Sequence, residues 1–478
     1  MAAATSDRPY HIIIFGATGF TGQFVVEEVA RCAAETPGDS SLKWAVAGRS
    51  RQRLEAVLEK AAGRLSMPEL RTDTEIIVAD VSIEESLAIM CQQGVVILNC
   101  VGPYRFYGEP VVKACIENGA HYVDICGEPQ FLERMQLEYH TNALDRGVYV
   151  IGSCGFDSIP ADLGILYTQR QFKGTLTAVE SFLKISSGPE GSSGHDATWQ
   201  SAVYGFADSG SLRQLRKKFG HKPLPVVGAK VKKRGFVFFS KEIEQYAIPF
   251  MGSDPSVVKR TQRFLYEEEH QSPLTASPSS LIFPSPATVI CVPLSVPLPV
   301  TVHYPFVYQT RSPSPPASLC PQVQYSAYVG VGGLFSIAKF FCGGVLFWVM
   351  VKFSLGRKLL TMFPSFFSFG LFSKAGPTMK QIEDTCFSLT FFGEGYSEGT
   401  DPSQGRPNAK ICTQVVGAEP GYVATVSAMV QAAVTMLNEL HSLPRRGGVY
   451  TPGAAFYKTS LIDRLQNHSI KFSVRNYQ

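Results

Sequence analysis

Apolar positions follow two rhythms in the first 165 residues. Short continuous runs come first: His11-Ile12-Ile13-Ile14-Phe15, Trp44-Ala45-Val46-Ala47-Gly48, Glu75-Ile76-Ile77-Val78, Val95-Val96-Ile97-Leu98-Asn99, His121-Tyr122-Val123-Asp124-Ile125 and Val148-Tyr149-Val150-Ile151. They do not alternate with polar residues, so each predicts a strand covered on both faces. Between them lie segments with helical spacing, such as Gln23 to Ala30. Strand and helix in alternation predict an α/β fold, a Rossmann-type doubly wound parallel sheet.

Beyond about residue 176 the rhythm changes, which predicts a second α/β (α+β) domain. Ala178 to Ile185 reads as a strand, Ser186 to Gly194 as a polar turn, and His195-Asp196-Ala197-Thr198 as a helix start. Ser388 to Phe392 and Lys410 to Val416 read as paired strands, and Ala424 to Leu440 as an amphipathic helix. Residues 272–321 hold twelve prolines and nine serines but no Asp or Glu. Proline lacks the N–H that ladders and helices need, so this segment reads as an inserted, mostly unfolded loop that could be deleted at little cost. The expected organisation is a dinucleotide-binding domain over 1–165 and a second domain over 166–271 and 322–424, interrupted by the insert at 272–321. Residues 425–478 then return to the first domain.

Composition narrows the function. The 44 Lys and Arg nearly balance 40 Asp and Glu, for a net charge of +4, which disfavours nucleic acid as a partner. The eleven cysteines form no CxxC pair, so zinc ribbons and thioredoxin-like sites are not expected and free thiols in a reducing compartment are. Met1 to Tyr10 contains no apolar run with a cleavage site, so no signal peptide is expected.

The loop Gly16-Ala17-Thr18-Gly19-Phe20-Thr21-Gly22 stands between the first strand and the first helix. Gly16 suits a tight turn, Gly19 the close approach of backbone to a pyrophosphate, and Gly22 the packing of helix on strand; the helix N-terminus offers N–H groups to phosphate. Thr18, Phe20 and Thr21 complete the cofactor loop. At the end of the second strand, where NAD-selective sites carry Asp or Glu, this chain has Arg49-Ser50-Arg51. A guanidinium can hold a 2′-phosphate that a carboxylate would repel, so the expected cofactor is NADP, with NADPH preferred over NADH. Asp80, after the third strand, is placed near the adenine; Asn99, Gly102 and Tyr104, after the fourth, near the nicotinamide.

Four motifs together resemble the saccharopine dehydrogenase family of oxidoreductases: Gly16 to Gly22, Ala47-Gly48-Arg49-Ser50, Asn99-Cys100-Val101-Gly102-Pro103-Tyr104, and Gly155-Phe156-Asp157-Ser158-Ile159-Pro160 with Ala161 to Gly164. Gly447-Gly448-Val449-Tyr450-Thr451-Pro452 fits as well. The resemblance spans nearly the whole chain outside Leu274 to about Pro321. It implies a dinucleotide-binding domain, a second α/β domain, and kinship with bacterial enoyl reductases of glycolipid synthesis. It does not imply saccharopine as substrate.

For catalysis, no tyrosine has lysine four residues on, which argues against short-chain dehydrogenase chemistry. Tyr104 is the candidate proton donor. Asp157 is a candidate acid or orienting group, with a helix-capping role equally open. His195 reads as an acid–base group or as a helix-start histidine bonded to backbone. No metal constellation is expected. Val329 to Val351 is apolar with one charge, Lys339, and Phe363 to Phe372 adds an aromatic patch. Lysine near the middle of a span, and paired glycines, favour a hairpin or shallow helix on a lipid monolayer or on the cytosolic face of a membrane. Lys230 to Arg234 reads as a solvated edge or a contact for anionic lipid. Two functions follow: an NADPH-dependent reductase of a lipid or other apolar carbonyl or enoyl compound, or a catalytically idle nucleotide-binding scaffold on lipid droplets or membranes. A homodimer is compatible with either.

Overall fold

The computed structural model describes residues 8–35, 42–231, 234–271, 323–403, 405–444 and 446–476. The Pro/Ser-rich insert therefore lies outside the described residues, as do Lys232 and Lys233. In chain order the strands are β1 (Tyr10–Phe15), β2 (Trp44–Gly48), β3 (Glu75–Val78), β4 (Gly94–Asn99), β5 (His121–Asp124), β6 (Tyr149–Ile151), β7 (Gly174–Ser186), β8 (Gly194–His195), β9 (Phe238–Ser240), β10 (Gln245–Pro249), β11 (Gln324–Val331), β12 (Phe372–Ser373), β13 (Cys386–Ser397), β14 (Ala409–Gly417), β15 (Gly448–Tyr450) and β16 (Ile470–Arg475).

The first sheet is parallel throughout, in the order β15-β6-β5-β4-β1-β2-β3. β1 sits between β2 and β4, with Ile13 level with Ala45 and Ile97. The order reverses around β1, and that switch point puts the glycine loop and the ends of β2 and β4 along one crevice. Ile12, Ile13 and Ile14 are fully buried, as continuous apolar runs in a sheet with helices on both faces require.

The second sheet is mixed, in the order β16-β14-β13-β7-β11-β10-β9, with β7 and β11 parallel and the other pairs antiparallel. β13 pairs with β14 as the alternating pattern predicts, Leu389 level with Val415. One continuous core joins the sheets: Ile12, Val46 and Leu98 belong to the same buried cluster as Val179, Leu389 and Val415. The helix Ile159–Gln171 lies against the second sheet, close enough that a Cβ at Gly164 would stand 2.3 Å from the Phe391 ring. The late segment divides between the two sheets, β15 at an edge of the first and β16 at an edge of the second.

Three expectations need correction. Val329 to Val331 is not part of an apolar anchor but the end of β11, paired with β7 and β10; the helix there is Leu334–Met350. Thr425–Asn438 is not amphipathic: it is buried nearly all round, because the first helix, Phe20–Ala34, covers the side turned from the sheet. With the preceding turn it forms the span Pro420–Asn438, long and apolar enough to cross a membrane, yet most of it is inside the protein. Arg234 is not a solvated charge. It donates to both carboxylate oxygens of Glu180, at 2.9 and 2.6 Å, and to Glu242 at 3.0 Å, over the rings of Phe182 and Phe238.

Candidate cofactor and active site

β1 delivers the chain to Gly16, whose φ of +86° lies in the left-handed region that only glycine enters freely. Its N–H donates to Ala47 O at 2.9 Å, and its own carbonyl accepts from Gly19 N at 2.9 Å. A Cβ at Gly22 would lie 2.2 Å from Gly16 O, so helix and strand meet this closely only because no side chain intervenes. Gly19 is exposed and caps the helix Phe20–Ala34 without any side-chain bond. The N–H groups of the first turn thus have no intrahelical acceptor. This is an anion cradle, and it fits a dinucleotide pyrophosphate. Thr18 and Thr21 flank it half-buried.

At the end of β2, Arg49 is exposed and makes no ion pair or hydrogen bond with the other described residues. Ser50 caps the next helix, accepting from Arg53 N at 3.4 Å. Arg51 is tied to Ile76 O at 3.1 Å. Asp80 holds Ser82 N and Oγ at 2.9 and 2.7 Å. Those bonds, helped by the charge of Arg49, keep its carboxyl below the ordinary range. Arg49 and Asp80 thus follow neighbouring strands, β2 and β3, near enough for the charge of one to act on the other.

Beyond β4 the side chains turn inward. Asn99 is fully buried; it donates to Tyr122 Oη at 3.0 Å and accepts from Val101 N at 3.0 Å, which shapes the loop toward Gly102. Tyr104 is buried too, and its hydroxyl donates to Asn99 O at 2.8 Å. Burial drives its ionisation well above the usual phenol range. The phenol faces its own loop rather than open space. Its role is to brace the β4 loop, and sequence spacing alone could not show which way the ring turns.

Asp157 lies after β6, half-buried, with Oδ2 2.9 Å from where a Cβ on Gly127 would stand. Burial raises its pKa. Its carboxylate caps no helix: Ser158 precedes the next helix and receives no side-chain cap bond. Two acids unremarked in the sequence accompany it. Asp254 is buried, its pKa pushed far up by desolvation and by the charges of Asp157 and Asp162. Asp162 accepts from Thr261 Oγ1 and Gly453 N, both at 2.7 Å, and burial brings it to about 6. Ser253 links the group, donating to Asp157 O at 2.8 Å. Burial, and for Asp254 also the charges of the other two, favours the protonated forms of these acids.

The second domain closes the site from above. Phe20 of the glycine loop stacks on His195 at 4.8 Å and meets Tyr422 edge-on at 4.9 Å. His195 N donates to Tyr422 Oη at 2.7 Å, while its ring accepts from Ala197 N at 3.2 Å. His195 is thus the backbone-bonded helix-start histidine of the two readings. Glu128, also unremarked in the sequence, is a buried hub: it accepts from Tyr104 N at 3.0 Å and Ser201 Oγ at 2.9 Å and pairs with Arg105 at 3.3 Å. All three contacts need the folded chain, so no local pattern could reveal them. A cavity of about 350 Å³ lined by His11, Val95 and His121 opens at the other ends of β1, β4 and β5, away from this chemistry. Among the described residues no group of His, Cys, Asp and Glu could hold a metal.

A family model described as the saccharopine dehydrogenase NADP binding domain matches residues 12–151. The human saccharopine dehydrogenase-like oxidoreductase is 54% identical over 471 residues, which cover 98% of each chain. The chain belongs to the saccharopine dehydrogenase-like oxidoreductases. A relative in this family, the lipid droplet localized protein of Caenorhabditis elegans, is 32% identical over 475 residues, 98% of each chain. The apo saccharopine dehydrogenase (L-Glu forming) of Saccharomyces cerevisiae has the same fold, with a TM-score of 0.52 at 12% identity over 98% of this chain and 100% of that one. Like the family, this oxidoreductase has an NADP-binding domain, which is the parallel sheet with the glycine cradle.

Proposed function

We propose that this family member is an NADPH-dependent reductase of a lipid or other apolar carbonyl or enoyl compound, working at a lipid surface. One element carries the reading. The helix Asp196–Ala207 supplies Ser201 to Glu128 at the cofactor crevice and sets Tyr204 against Phe106, ring centroids 5.0 Å apart. The same helix packs Trp199 and Phe206 on Phe347 of the apolar helix Leu334–Met350. That helix leaves Phe341, Leu346 and Trp348 open to solvent, and the turns after it expose Phe353 and Phe366, the last 76% accessible. So large an apolar face on a folded chain marks an interaction surface, and a helix lying in a lipid interface suits it. The relative's lipid-droplet name agrees with this location.

Bound NADPH would supply the hydride. The glycine cradle and Arg49 would hold it, and the Asp157–Asp254–Asp162 cluster would hold the proton that the reduced atom needs. Tyr104 braces the loop. The commitment of its hydroxyl to Asn99 O favours the second reading, an idle nucleotide-binding scaffold, to the extent that no other donor acts. Oxidation of NADPH by the purified chain, screened against enoyl and ketoacyl lipids with saccharopine included, separates the two. Turnover of an apolar substrate is expected. Nucleotide binding without turnover across the panel would support the scaffold, and robust turnover of saccharopine would overturn both.

A further inference from the structure

The edge of the first sheet carries a second cavity, independent of the crevice. It has a volume of about 400 Å³ and lies between β15 and the helices Pro129–Asp145, Ser209–Lys218 and Asp254–Gln271. That is small-molecule size. Its lining is unusually basic: Arg216, Lys259, Arg260 and Arg263 against Glu133 and Glu267.

The pairing leaves a surplus. Arg216 forks onto both oxygens of Glu133, which also accepts from Ser256 Oγ. Arg263 reaches Glu267 at 3.1 Å and Lys222 O at 2.8 Å. Both acids of the wall are thus in use. Arg260 is different. It is half-buried, and among the described residues its one hydrogen bond is from Nε to Gln136 Oε1 at 2.7 Å and it makes no ion pair. The carboxylates whose charge it feels, Glu133 first and then Asp162, are already held, Glu133 by Arg216 and Ser256 and Asp162 by Thr261 and Gly453. Burial lowers its pKa to about 10. Lys259, beside it, is exposed and has no ion pair among the described residues. The Nη groups of Arg260 donate no hydrogen bond among the described residues, so an anionic group in the cavity would take them. The aromatic lining gives the body of that ligand a place: Phe219, Phe264 and Tyr450 line the same cavity, and Phe264 meets Tyr450 edge-on at 5.3 Å.

We propose that this edge cavity is a second ligand site, which takes a small molecule with a phosphate or carboxylate head at Arg260 and Lys259 and an aromatic or apolar body against Phe219 and Phe264. The site stands apart from the glycine cradle and does not depend on the reductase reading.

Calorimetric titration of the full chain with phenyl phosphate, and in parallel with phenylacetate, tests it. Saturable binding of at least one probe is expected, weakened tenfold or more by Lys259→Glu and by Arg260→Gln and unchanged by Arg49→Glu. The tighter probe identifies the head group. Lys259 is exposed, so Lys259→Glu leaves the fold intact should Arg260→Gln not. Two results would overturn the proposal: no saturable binding at millimolar probe, or binding that survives both cavity variants and is lost in Arg49→Glu, which would place the probe on the cofactor cradle.

Discussion

A methyl group at Gly22 would press to 2.2 Å from Gly16 O, against backbone that cannot swing aside. Gly22→Ala should cost about 1–3 kcal/mol in chemical unfolding and weaken nucleotide binding, because relief of the clash moves the helix N-terminus off the cradle. Arg49→Glu should leave stability unchanged and reduce NADPH affinity far more than NADH affinity; equal losses in a titration would remove Arg49 from the 2′-phosphate. The glycine turn was legible in sequence because a tight turn restricts which residues can occupy it. The acid cluster was not, since Asp157, Asp162 and Asp254 are brought together by tertiary packing and none is unusual alone. Asp162 carries a pH consequence. Burial holds its folded pKa at about 6, above the ordinary carboxylate value of about 4, so the folded state binds the extra proton. Below about pH 4 there is no penalty; stability then falls as pH rises, until the full cost of about 3 kcal/mol is present above pH 6. Asp162→Asn should flatten that slope in denaturant melts taken from pH 4 to 7.

At the scale of elements, the helix Leu334–Met350 has two faces with different duties. Phe347 packs on Trp199 and Phe206, while Phe341 and Trp348 face outward. The double variant Phe341→Asp, Trp348→Asp should keep the thermal midpoint and abolish co-flotation with lipid droplets or vesicles. Phe347→Asp should instead lower the midpoint. Unchanged flotation of the double variant would sink the lipid-surface reading. The sequence pattern showed an apolar stretch here but overran it by one strand. β11 and the helix are both apolar, and a run of hydrophobic residues does not declare where a buried strand ends and an exposed helix starts. Six of the seven strands of the parallel sheet were legible one by one, because each βα unit repeats the same rhythm; β15 was not, since it comes from the far end of the chain.

For the whole molecule, the continuous core predicts a single cooperative transition. Val46 and Leu98 of one sheet share a cluster with Val179 and Val415 of the other, so neither half buries its apolar face alone. Calorimetry should give one peak, raised by NADPH through mass action; two separable peaks would contradict the shared core. The route of the chain has a further consequence during synthesis. β15 and β16 border different sheets, yet both come from residues 448–475. Once residues up to 440 have emerged from the ribosome, nearly all of both sheets is free to fold but neither border strand is. β6 and β14 then stand as open edges, ready to pair with any strand nearby. Nascent chains of this protein should therefore hold chaperones until the last thirty or so residues emerge. A stop near residue 445 should yield aggregate rather than a smaller working enzyme, however complete the glycine cradle it has already made.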